Sequence, residues 1–142
     1  MLVRHNLINF FIIIRFKRAT FLLFPHQLRN MKVKLEVGER LSVPNVLPKE
    51  GSALTLLIVK HIMKKIEITP EEVTKWEIQA VEKSPGVISY IWEPSKVEDV
   101  EFEFTSPETD LIQRELNKLD QQNKLNFGTL LIFEKFCNPK PA

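Results

Sequence analysis

The chain has 142 residues, 44% of them hydrophobic and 27% charged, enough for one globular domain with its own core. Its single cysteine, Cys137, excludes an internal disulfide and a cysteine-based zinc site, which favours a reduced, cytoplasmic setting. The net charge of +2 is unevenly held: residues 1–30 carry five bases and no acid, leaving 15 bases against 18 acids from residue 31 onward, a net of −3 and the wrong sign for a generic nucleic-acid binder.

The first segment, MLVRHNLINFFIIIRFKRATFLLFPHQLRN, is apolar and basic. Its mostly apolar stretch from Leu7 to Ile14, which includes Asn9, is 8 residues long, where a spanning helix needs about 20. Arg15, Lys17 and Arg18 would fall mid-span. It has no small-residue cleavage site of the signal-peptide kind. Three readings remain: codons upstream of a true start at Met31, a basic membrane-surface anchor, or a structured extension. The start at Met31 is the expectation. Residues 31–137 then form one compact domain, with 138–142 a frayed tail.

Lys32 to Val37 alternates, Val33, Leu35 and Val37 against Lys32, Lys34 and Glu36, which predicts a half-exposed strand. Glu39 to Leu47 reads as a short helix weakened by Pro44. Ser52 to Lys65 reads as a helix with Leu54, Leu57, Ile58, His61 and Ile62 on its buried stripe, capped by Ser52. Lys60, Lys64 and Lys65 cluster late in it, where the helix dipole favours cations. The strongest local signal is Ile68-Thr-Pro-Glu-Glu-Val73, with Thr69 as N-cap, Pro70 first in the helix and Glu72 closing a capping box. That helix ends near Trp76.

The period then changes. Ile78–Glu82 and Val87–Trp92 flank a type II turn at Pro85-Gly86. Val100–Phe104 is another strand, with Val100, Phe102 and Phe104 inward. Ser106-Pro107-Glu108 opens a helix with Leu111, Ile112, Glu115, Leu116 and Leu119 on its inner edge. Leu125–Phe136 is a final apolar helix. Segregated helices and antiparallel strands give an α+β class, short helices with a small antiparallel sheet or hairpin. Three helices followed by a hairpin is also the winged-helix order. Its third helix, however, carries Glu71 and Glu72 against one Lys75, a poor match to a DNA groove.

Chemistry is sparse. His61 has no second ligand at metal spacing, Cys137 no activating base, and the carboxylates suit solvated faces and helix starts. LPKEGS has its lysine before its only glycine, the wrong order for a phosphate loop. No catalytic residue, cofactor site or metal site is expected. Closing a small core against the helices is the commoner role for Trp76, Tyr90 and Trp92; the candidate interaction surface they would otherwise form is Trp76, Tyr90 and Trp92 with Lys60 and Lys64.

Glu39-Arg40-Leu41, LPKEGS at 47–52, the Glu71-Glu72 helix start, Tyr90-Ile91-Trp92 after Gly86, Asp110-Leu-Ile, and Leu-x-x-Phe-Glu-Lys-Phe at 130–136 form a pattern. It resembles small uncharacterised proteins of bacteriophages, prophages and gut bacteria that begin near MKxxLxVxERL. The resemblance spans about residues 31–136 and carries no catalytic motif and no named activity. It implies a start at Met31, while Pro44 departs from its Leu-rich helical stretch. The expectation is a non-enzymatic, phage-derived protein of the bacterial-host cytoplasm, working through an unidentified protein partner in an accessory, assembly or host-modulating role. The alternative is a winged-helix-like nucleic-acid-associated regulator. Nucleic acid is otherwise not an expected partner, nor is a membrane unless residues 1–30 are genuine.

Overall fold

The computed structural model describes residues 30–138, so the readings of residues 1–29 and of the tail beyond Asn138 lie outside the described residues. The order is β1 (Met31–Leu35), α1 (Val37–Val46), α2 (Ala53–Ile66), α3 (Pro70–Lys75), β2 (Gln79–Ser84), β3 (Val87–Ile91), a 3-10 turn (Pro94–Lys96), β4 (Val100–Phe104), α4 (Ser106–Gln121) and α5 (Phe127–Phe136). Among the described residues, five helices and two separate two-stranded antiparallel sheets make a small α+β fold.

Alternation in β1 and β4 sets their pairing. Val33 lies opposite Phe102 and Leu35 opposite Val100 on the inner face. On the outer face Lys32 meets Glu103 and Lys34 meets Glu101, opposite charges directly across the ladder. A one-residue slip would turn both faces over. The core lies between this sheet and α1, α2, α4 and α5, and centres on Leu35, Val43, Ile62, Phe104, Ile112, Leu116, Ile132 and Phe136. At the α1–α5 contact a Cβ on Gly128 would come within 3.2 Å of Ser42 Oγ, so the glycine permits the close approach.

Three helix starts share one device. Glu39, Glu72 and Glu108 each sit at the third position of a helix, and each carboxylate accepts a bond from the backbone N–H at its own N-cap: Glu36 at 2.8 Å, Thr69 at 2.9 Å and Thr105 at 2.8 Å. Each also pairs with a cation from another helix: Glu39 with Lys135 of α5, Glu72 with Arg40 of α1, Glu108 with Lys65 of α2. Lys135 also donates to the Lys34 carbonyl and Lys65 to the Glu103 carbonyl, which ties the helices to both strands of the core sheet. A local capping signal thus doubles as a tertiary clamp.

The expected elements are present, with the ends of the hairpin strands and of the last helix shifted by one or two residues, and three further differences bear on packing. The N-cap of α4 is Thr105 and not Ser106; the two neighbours are equally suited, and Pro107 is tolerated one position further in. Val37 starts α1 instead of ending β1, though it stays buried. The buried stripe of α2 is rotated: Ile62 and Ile66 are buried, Ile58 and Val59 partly so, whereas Leu54 is 68% and Leu57 54% exposed and His61 is exposed. The run Leu54-Thr-Leu-Leu-Ile-Val59 is apolar almost all round, so its periodicity cannot select a face.

The hairpin β2–β3 stands apart from the core sheet, and every residue of β2 is exposed. Gly86 has φ +79°, as the second central position of a type II turn requires, and a Cβ there would meet nothing within 4 Å. Gly86→Ala is therefore a purely conformational perturbation, expected to cost about 1 kcal/mol. Amide exchange should speed up in β2 and β3 while the protected amides of α4 keep their rates.

Candidate functional site

A cleft among the described residues holds about 480 Å³. One wall is Leu41 and Pro44 of α1, which face Met63, Lys64 and Ile66 at the end of α2. Glu67 and Ile68 from the α2–α3 connection, Val73 of α3, then Ile78 and Tyr90 at the hairpin base complete it. Ile68 and Val73 are the residues that flank the Thr69 cap, so the helix-start signal also places two cleft walls. Pro44, which lacks an N–H to bond the preceding turn, is thereby an apolar wall of the cleft as well as a break in the α1 ladder.

Arg40 sits at the base of the cleft, 3% exposed. Its Nη1 and Nη2 donate to the two Glu72 carboxylate oxygens at 3.0 and 2.9 Å. Its Nε donates to the Ile66 carbonyl at 3.0 Å and Nη2 to the Glu67 carbonyl at 2.7 Å, closing the last carbonyls of α2. The guanidinium lies 5.1 Å from the Phe102 ring centroid and 5.9 Å from that of Trp76. Burial alone would raise the Glu72 carboxyl, but the Arg40 bonds, the Thr69 N–H and the charges of Arg40 and Lys75 outweigh it and hold Glu72 below the ordinary carboxylate value. Arg40 is thus spent on Glu72 and the α2 terminus, and the cleft is left with apolar walls and the exposed charges Lys64 and Glu67.

The sequence-nominated surface divides. Tyr90, 48% exposed, and Lys64 line the cleft, and Lys60 is exposed one helical turn before Lys64. Trp76 does not belong to that surface: it is 2% exposed, buried at the end of α3 under Arg40, with its indole N–H unbonded. Trp92 is half-buried near Gly38, where a Cβ would meet its ring at 3.6 Å, and does not line the cleft. The aromatics therefore part company, Trp76 to the core and Tyr90 to the surface.

Leu41, Met63 and Ile78 were not nominated by sequence, nor was Arg40. Arg40 had a signal. With Val37, Val43 and Val46 it falls on the buried side of α1, and an arginine there demands a buried carboxylate. Met63 had none, because it lies outside the apolar stripe that periodicity marks on α2 and is 40% exposed.

Other reactive groups stay apart. No three His, Cys, Asp or Glu side chains converge as a metal-holding group among the described residues. Burial, then the charge of Asp120, pushes the Cys137 thiol up, which leaves less thiolate for chemistry. In α3, the helix a winged-helix frame would send into DNA, Lys75 is held by Glu98 at 3.0 Å. No helix among the described residues is long and apolar enough to cross a membrane. Comparison of the chain with protein-family models, with curated proteins and with solved structures gives no match in any of the three.

Proposed function

We propose that this chain is a non-enzymatic binding protein that works by protein contact, with the α1–α2–α3–hairpin cleft taking apolar side chains of its partner. The observation that supports it is the cleft itself: apolar walls, with Met63, Val73 and Tyr90 exposed among them, over a base whose only strong charge is already neutralised. A contact site of this kind gains from desolvating walls and gives no purchase to a charged substrate. Lys60 and Lys64 at the rim would orient an acidic partner segment. On the resemblance of the sequence to small phage and prophage proteins, the role we propose is an accessory, assembly or host-modulating one in the bacterial-host cytoplasm.

The test is affinity capture from the bacterial host with the wild type, with Met63→Asp in the cleft, and with Phe127→Ser on the exposed start of α5. A partner held by the wild type and Phe127→Ser, but lost with Met63→Asp, is the expected result. Retention by all three would move the contact elsewhere. A salt-sensitive shift of labelled DNA by the wild type, with no protein captured, would instead favour the nucleic-acid reading, for which the α1–α2–α3–hairpin order is the supporting feature.

A further inference from the structure

The hairpin has one protected edge and one that is bare. β2 carries Glu82 and Lys83 and a register shift between Glu82 and Ser84, the charges and irregularity that keep an edge strand from pairing. β3, Val-Ile-Ser-Tyr-Ile, is uncharged and rich in β-branched residues, and its outer edge has no strand beside it among the described residues. Val87, Ile88, Tyr90 and Ile91 are all exposed large hydrophobics. A two-stranded hairpin with so little core contact is marginal in water, and an unguarded strand of this composition is built to be paired.

We propose that β3 pairs antiparallel with β3 of a second copy of this chain about a two-fold axis at Ser89, joining two hairpins into a four-stranded sheet. The sequence of β3 is self-complementary in that register. In the proposed pair Ser89 would meet Ser89, Ile88 would meet Tyr90 and Val87 would meet Ile91, so the seam would contain β-branched and aromatic pairs and no charge. The flanks complement one another. Glu93, still extended, falls opposite the Pro85 turn of the second copy, beside the exposed Lys83 that precedes it. Self-pairing of β2 would instead press Glu82 and Lys83 into the seam. Because Tyr90 is also a cleft wall, Ile88 of the second copy comes to rest at the mouth of the cleft.

The pairing rests on the β3 edge and can be tested without any cleft partner, because Ser89 lies outside the cleft lining. Sedimentation of the full chain at high micromolar concentration should give a dimer. Ser89→Lys places two like charges face to face on the axis and should give a monomer, with circular dichroism of the helices unchanged. In a Cys137→Ser background, Ser89→Cys should form a disulfide-linked dimer under mild oxidation, since facing strand residues lie about 4.5–5.5 Å apart at Cα, within disulfide reach. A wild-type monomer would overturn the proposal. So would a dimer that survives Ser89→Lys, or one in which Ser89→Cys fails to cross-link.

Discussion

Arg40→Met should destabilise the fold by about 3–5 kcal/mol, the range for breaking a buried ion pair from one side. The substitution keeps much of the aliphatic bulk but removes four donated bonds at once. Glu72 then keeps its cap bond to Thr69 yet loses its charge partner, and the Ile66 and Glu67 carbonyls are left without their donor. Glu72→Ala should be similarly damaging for the opposite reason, because it strands a guanidinium whose side chain is 2% exposed. The double variant Arg40→Met/Glu72→Ala should cost clearly less than the two single losses together, since neither buried charge then remains alone. Urea denaturation of the four proteins checks this; strict additivity would mean that the pair does not act as a unit.

The same pair gives the fold an acid dependence whose sign is fixed. Glu72 is held below its ordinary value in the folded state, so the unfolded chain binds its proton more readily. The stability it contributes is fully present above the ordinary glutamate value of 4.5 and is lost as the pH falls through the lower folded value. Arg40→Met removes two of the causes that lower it, so the acid loss of stability in that variant should be shallower than in the wild type.

What was legible in the sequence was local. Thr69-Pro70-x-Glu72 states its own helix start because cap, proline and carboxylate lie within one turn, and Pro85-Gly86 states its turn because one residue must take positive φ. Lys32 to Val37 and Val100 to Phe104 announced strands by alternation, the first ending at Leu35 because Val37 opens α1. That they pair with each other across nearly the whole domain is decided by long-range packing. The α2 stripe failed for a physical reason: an apolar run offers no contrast, and the packing of Ile62 and Ile66 into the core decides which side is covered. The cleft was half-visible through Tyr90 and Lys64. Its other walls come from four separate segments, a juxtaposition that no spacing encodes.

Phe104→Ala should cost about 3–5 kcal/mol, a large fraction of the stability of a domain this size, which is of the order of 5–15 kcal/mol. Phe104 is fully buried, edge-on to Phe136 with 5.1 Å between centroids. Lys65 Nζ lies 5.3 Å from its ring centroid on the way to Glu108, so the ring also supports one of the three clamps. It is the last residue of β4, followed at once by the Thr105 cap, which makes it the joint between the core sheet and α4. Removing the ring opens a cavity at that joint and withdraws the aromatic partner of α5. Phe104→Leu keeps most of the apolar volume and should cost about 1–1.5 kcal/mol, so the difference between the two variants isolates the cavity from loss of the ring. Phe136→Ala should resemble Phe104→Ala, and the double variant should fall short of additivity because both single changes break the same ring contact. Thermal and urea melts of the wild type and the four variants decide it: equal losses for Phe104→Leu and Phe104→Ala would mean that the edge-on geometry, and not the filled volume, holds α5 to the sheet.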